Sequence, residues 1–382
     1  MKIGIVCYPT FGGSGVMATE LGMALSQKGH EVHFITYQQP VRLNFHPNIY
    51  YHEVTVPTYP LFDFPPYETA LTSTMVNVIA NNGLELLHVH YAIPHASAAY
   101  FAMQILKKLG KDIPFITTLH GTDITLVGRD ATYAPVVTFS MNESNAITAV
   151  SNNLREETYK SFDIEKQIHV IPNFVDIQRF QKTDKEHFKQ MLAPNGERIL
   201  VHVSNFRKVK RVEDVIQTFQ RVHKEIPSKL LMIGDGPERQ SAEEQCRTLG
   251  VCNDVRFLGK QEQIDEILSI TDLFILPSEY ESFGLAALEA MACGVPVIST
   301  NSGGLSEINE HGVTGFLSNV GDVEDMAKNA IYILGDDARL AHFKKAAISH
   351  ARTFEKQRII PLYEKLYEEV VAAYKMEKAH QF

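Results

Sequence analysis

Short apolar runs alternate with stretches of helical period along the 382 residues, and no other feature of the sequence limits its fold as strongly. Apolar runs at 2–8, 32–36, 86–90, 114–119, 146–150 and 168–172 are followed by polar turns, most of which lead into helical segments. A second series runs through 198–204, 229–234, 254–259, 273–277, 295–300 and 315–319. Strands that alternate with helices pair in parallel, because each crossover helix returns the chain to the same edge of the sheet. That pairing gathers every strand-to-helix turn at one edge, where open α/β sheets bind their ligands. The stretch 173–190 is polar and has no strong period, so a domain boundary is expected there. The expected domains are 1–172 and 173–354, with a tail of helical period from about 355 to 382 packing back across the first. Residues 57–68, PTYPLFDFPPYE, read as a loop or lid.

The most informative turn lies in 276–296, LPSEYESFGLAALEAMACGVP. It reads as a strand end, a polar turn, and a helix that begins near Phe283 and Gly284 and stops at Gly294. The amides of Ser282, Phe283 and Gly284 would then be open donors of a first helical turn, which attracts anions. Glu281 and Glu289 stand on either side of those donors, and a carboxylate beside a phosphate must be reaching for hydroxyl groups. A phosphate flanked by two polyols is a nucleotide sugar. Residues 204–211 put four cations (Arg207, Lys208, Lys210 and Arg211) on another strand-to-helix turn, a placement that suits a pyrophosphate.

The first domain opens with a strand, the turn Gly12, Gly13, Ser14, Gly15, and a helical segment expected at 16–28. This is not a dinucleotide fingerprint: the glycines do not follow GxGxxG, and the next strand ends in Thr36 and Tyr37 without an acidic residue. Later turns bring His88, His90, Tyr91, His95, Thr118, His120, Gly121, Thr122, Asp123, Ser151 and Asn152 toward one crevice. Arg129 is one of the few basic residues near them.

Several classes of function are disfavoured. A formal charge of −9 gives no reason to expect nucleic acid or an anionic membrane as partner. No apolar run approaches the ~20 residues of a membrane span. The opening MKIGIVCYP runs straight into a strand, without a signal peptide's features. The four cysteines show no CxxC spacing, and neither D-x-D, HExxH nor G-x-S-x-G occurs. The expectation is a reduced, cytoplasmic protein with small-molecule substrates, no metal or other cofactor and no stable membrane association; its oligomeric state stays open.

Together the two α/β series, the basic turn and ESFGLAALE resemble the retaining GT-B glycosyltransferases of family 4, whose signature is two glutamates separated by seven residues. Further likenesses are VIPN at 170–173, Gly303 and Gly304 ahead of Glu307, and GVTGFL at 312–317. The resemblance implies an α/β, GT-B architecture, two Rossmann-like domains facing a central cleft, and transfer from a UDP-sugar. It implies that Glu289 binds ribose, that Glu281 binds the transferred sugar, and that Phe283, Gly284 and Leu285 offer amides. Lys210 would neutralise the leaving phosphate and His120 would lie beside the reacting sugar. Where the family has an arginine this chain has Asn205, so Arg207 or Arg211 would supply that charge. Arg256 and Phe257 would hold the uracil, and Gly15 would face the diphosphate.

A narrower likeness lies in KIGIVCYPTFGGSGVMATELG, HYAIPHA and TTLHGTDITLVG. It is to family members that begin bacillithiol biosynthesis by moving N-acetylglucosamine from UDP-N-acetylglucosamine to L-malate. It implies Gly13, Ser14, Tyr91, Thr118, Thr122 and Arg129 as the acceptor side. Another small-molecule or lipid acceptor, or a UDP-sugar epimerase on the same scaffold, is the alternative.

Overall fold

A computed structural model describes residues 1–57, 60, 63–125, 128 and 130–380. The chain divides into two compact units: Met1–Asn173 with Gln357–Phe382, and Phe174–Lys356. Each is a parallel sheet flanked by helices, the Rossmann-like arrangement.

The first unit contains β1 (Lys2–Val6), β2 (Glu31–Thr36), β3 (Ile49–Glu53), β4 (Leu86–His90), β5 (Phe115–Leu119), β6 (Ala146–Ala149) and β7 (Ile168–Val170). Their spatial order is β3-β2-β1-β4-β5-β6-β7, parallel at every pairing. β4 and β5 are buried along their whole length, which explains their continuous apolar character. β3 was not expected from the sequence, because it is an edge strand whose Tyr50 and Tyr51 stay exposed. The proline-rich segment ends sooner than expected, since a helix spans Tyr67–Asn82. Residues 58, 59, 61 and 62 of that segment lie outside the described residues.

The first helix, Gly13–Gln27, also begins earlier than its apolar period suggests, so Gly13, Ser14 and Gly15 form its first turn rather than a loop. Gly15 makes this possible. A Cβ there would fall 2.3 Å from the Tyr8 carbonyl oxygen and 2.7 Å from that of Thr10, so only glycine lets the helix start against the strand exit.

The long helix Lys356–Ala379 buries Ile359, Ile360, Tyr363, Leu366, Tyr367 and Val371 at helical spacing. Its first residue, Lys356, donates to Asp176 at 2.6 Å, and several later side chains make polar contacts within the first unit. The Tyr367 hydroxyl lies 2.6 Å from His88 Nδ1, and His88 Nε2 lies 2.6 Å from Thr118 Oγ1. Lys378 Nζ donates to Asp112 Oδ1 at 2.7 Å, and Glu364 pairs with both Lys28 and His30.

The second unit contains β8 (Arg198–Val203), β9 (Ser228–Ile233), β10 (Val255–Gly259), β11 (Leu273–Leu276), β12 (Val297–Thr300) and β13 (Gly315–Ser318), in the order β10-β9-β8-β11-β12-β13. Its core gathers Phe206, Phe219, Met232, Ile275, Ile298 and Phe343. The helix Glu186–Leu192 was hidden in the sequence because it buries no residue and so has no apolar stripe. Its Lys189 reaches the buried Asp272 at 3.2 Å, which Lys344 also meets at 2.7 Å.

Replacing Tyr367 by Phe keeps the ring and removes the partner of a fully buried His88 nitrogen. A loss of about 1–3 kcal/mol is expected, read as a lower urea midpoint with unchanged slope. An unchanged midpoint would show that this bond contributes nothing.

Candidate active site

In both sheets the strand order reverses between two neighbours, β1 and β4 in the first unit, β8 and β11 in the second. Crossovers leave such a pair in opposite directions, and the turns beyond the strand ends part to leave room for a ligand. The candidate residues are concentrated on these turns.

In the second unit, the turn after β8 carries Asn205 to Arg211 and the turn after β11 carries Glu281. The two are stapled by the Glu279 amide, which donates to the Val209 carbonyl at 2.8 Å. Lys210 Nζ sits 2.5 Å from Glu281 Oε1, and the Ser278 hydroxyl donates to the same oxygen at 2.9 Å. The two charged side chains are 19% and 14% exposed, so the pair is mostly desolvated yet still reachable from solvent. Phe206 and Arg211 both hold positive φ, 38° and 48°, which gives the basic turn its sharp bend. The bend is held from below by the buried His202. Its Nδ1 donates to the Ile275 carbonyl at 2.9 Å, and its Nε2 accepts from the Ser204 hydroxyl at 2.7 Å. Burial brings this imidazole down to about 4, so it stays neutral beside Lys210. Sequence reasoning missed His202; the signal available was a histidine two residues before the polar turn, inside an otherwise apolar strand.

The helix after β11 spans Leu285–Ala292, so it starts later than expected. Gly284 is its cap, in the left-handed region at φ 96°, where a side chain would be strained. Ala287 and Leu288 already donate to the Gly284 carbonyl, so the amides that open the helix belong to Leu285 and Ala286. Phe283 is buried as packing, and Glu289 is 5% exposed on the helix. Of the two candidate arginines, Arg211 is committed: its Nε donates to Asp214 at 2.7 Å. Arg207 and Asn205 are exposed on the turn. Arg256 is exposed on β10, and the Arg239 guanidinium lies over the Phe257 ring, 5.9 Å from its centroid.

In the first unit, the Tyr91 hydroxyl donates to Ser14 Oγ at 2.8 Å, joining the turn after β4 to the first turn of the Gly13–Gln27 helix. Asp123 accepts the amides of Ala92 and Gly121, each at 3.0 Å, which binds the β4 and β5 turns together. Burial pushes its carboxyl up to about 6. His120 Nε2 lies 2.8 Å from His90 Nδ1, and the His120 ring is 5.4 Å from that of Tyr91. Ser14, Tyr91, His120 and Thr122 are thus brought together, with Gly13 exposed at the helix start. Thr118 is not among them. It is fully buried, with Oγ1 held at 2.6 Å by both His88 and Thr148, and it supports the sheet instead of facing an acceptor. Arg129 lies outside the described residues. Among the described residues, no group of three His, Cys, Asp or Glu side chains could hold a metal ion, and no helix is long and apolar enough to cross a membrane.

Comparison with known proteins agrees with these observations. The family described as Glycosyl transferases group 1 matches residues 183–350, and Glycosyltransferase Family 4 matches residues 11–179. The chain is 46% identical over 374 residues to N-acetyl-alpha-D-glucosaminyl L-malate synthase of Bacillus anthracis, covering 97% of each protein. It is 28% identical over 336 residues to an uncharacterized glycosyltransferase of Methanocaldococcus jannaschii, covering 82% of this chain and 84% of that one. Among solved structures, sucrose-phosphate synthase from Thermosynechococcus elongatus superposes with a TM-score of 0.83 at 21% identity, covering 98% and 100%. Anabaena HepE, solved with UDP and glucose, gives 0.78 at 20% identity, covering 97% and 99%. These structural likenesses speak for the fold.

The buried histidines predict an acid sensitivity. Burial brings His88 and His120 down to about 3 and His95 to about 4. Unfolded histidine takes up its proton near 6.5, so stability is whole above that value and declines as pH falls from about 6.5 toward 3. Asp123 acts oppositely, since its contribution is lost as pH rises through about 6. Three imidazoles outweigh one carboxyl, so calorimetry from pH 7 to pH 4 should show a falling Tm. A flat Tm would refute this account.

Proposed function

Because the chain belongs to glycosyltransferase family 4, we propose that it moves N-acetylglucosamine from UDP-N-acetylglucosamine to the hydroxyl group of L-malate, with retention at the anomeric carbon. This is the entry reaction of bacillithiol biosynthesis. The observation that carries the reading is the 46% identity across 97% of both chains to a protein of that named activity. The Lys210–Glu281 pair at the switch point of the second unit supports it on physical grounds.

In this reading the second unit holds the donor. Glu289 takes the ribose hydroxyls and Glu281 the sugar hydroxyls. Lys210, Arg207 and the amides of Leu285 and Ala286 carry the diphosphate, with the uracil against Arg256 and Phe257. As UDP departs, Lys210 and the helix terminus stabilise the negative charge that develops on the phosphate. The malate hydroxyl attacks from the same face, and the leaving phosphate oxygen takes its proton. The C1–O bond to UDP breaks, the C1–O bond to malate forms, and no enzymic nucleophile takes part. Ser14, Tyr91, Thr122 and Arg129 serve the acceptor, and His120 lies beside the sugar. Cationic side chains replace a metal in this scheme.

The test is product analysis by mass spectrometry across several UDP-sugars and hydroxy acids, with EDTA present throughout. N-acetylglucosaminyl-malate and UDP are expected only from the paired substrates. Another acceptor working while malate fails would overturn the acceptor, and a new UDP-sugar formed without acceptor would overturn transfer itself. Lys210→Ala should lower kcat by about 10²–10³ with a smaller change in KM. Arg129→Ala should raise KM for malate; an unchanged value would remove that residue from the acceptor site.

A further inference from the structure

The chain of histidines at the ends of β4 and β5 contains more information than its packing role requires. His90 Nδ1 and His120 Nε2 are 2.8 Å apart, with the rings stacked at 5.1 Å. Between two neutral imidazoles, one hydrogen occupies such a contact. Either His90 donates it and His120 carries its own hydrogen on Nδ1, or His120 donates and its Nδ1 is bare.

The opposite edge of His90 decides between them. Among the described residues, His90 Nε2 is buried and meets no hydrogen-bonding partner. Were His120 the donor, His90 would carry its hydrogen on that Nε2, burying an N–H with no acceptor, which is rare and costly. With His90 as donor, Nε2 holds only a lone pair. His95 shows that this environment accepts such a lone pair. Its Nδ1 contacts the His90 carbonyl, which can only accept, so His95 is the Nδ1–H form, and its Nε2 is likewise buried without a partner. The neighbours agree on neutrality. His88 stacks on His90 at 4.4 Å and is itself bonded to Tyr367 and Thr118, and burial keeps all four imidazoles uncharged.

We infer that His90 is a positioning residue that fixes His120 as the Nδ1–H tautomer, making His120 a neutral hydrogen-bond donor and not a base. This deepens the proposed function, and it rests on that reading only in placing His120 beside the substrate. It fits a mechanism in which the leaving phosphate, not a side chain, takes the acceptor's proton. A donor on His120 does not compete for that proton.

The experiment is long-range 1H–15N NMR on the full chain with labelled histidine at pH 7.5, with His120 assigned through His120→Gln. The expected pattern is the Nδ1–H tautomer for His120. An Nε2–H tautomer or an imidazolium would overturn the inference. Two variants then test the consequence. His90→Asn retains a side-chain N–H and should keep both the tautomer and most of kcat. His90→Asp, which can only accept while ionised, should move the hydrogen to His120 Nε2 and lower kcat by about tenfold. A changed tautomer with unchanged kcat would also overturn the positioning role. Should His90→Asp fail to fold, the wild-type spectrum and His90→Asn still decide. A chain without transferase activity but with the Nδ1–H spectrum would defeat the proposed function and leave the tautomer assignment standing.

Discussion

Parallel strand pairing is the constraint on which everything else depends. It obliges each strand to be followed by a crossover, and it delivers all the turns of a sheet to one edge. Where the order reverses, at β1 and β4 and again at β8 and β11, neighbouring turns diverge, and side chains from separate parts of the sequence meet. Lys210 and Glu281 are 71 residues apart in the chain and in contact in space. Ser14 and Tyr91 are joined across 77 residues in the same way. Both units use buried neutral imidazoles near a strand end to hold these turns. His202 bridges β8 and β11 through the Ile275 carbonyl, and His90 links the β4 end to the turn after β5 through His120. Imidazole suits this task because it can donate on one edge and accept on the other without charge.

The ion pair at the second switch point has a further property. A mostly buried carboxylate or ammonium without a partner would be strongly destabilising, so each group holds the other in place. Under the proposed function, a diphosphate sugar would offer both groups a replacement: oxygens for the ammonium, hydroxyls for the carboxylate. In the proposed donor site, these two groups would thus be in place before a ligand arrives, with limited reorganisation of charge.

Much of this was legible from the sequence, for identifiable reasons. Strands buried on both faces announce themselves as apolar runs, so β4, β5 and β8 were plain. The glutamates and the basic turn stood out because charge at a strand end is unusual. What stayed hidden depends on contacts distant in sequence. The edge strand β3 and the helix Glu186–Leu192 bury too little to show a period. The early start of the first helix depends on how closely Gly15 passes the carbonyls of Tyr8 and Thr10. Thr118 and Arg211 looked available because their sequence neighbours do, yet each is occupied, one by His88 and Thr148, the other by Asp214.

The helix Lys356–Ala379 belongs to the first unit but follows the whole of the second in the chain. On a ribosome it emerges after the second unit. Until then His88 has no phenol partner, and the surface that will receive Ile360, Tyr363 and Tyr367 is uncovered. The unit translated first is thus completed after the unit translated second, and a chain broken off before this helix would lack part of its opening unit.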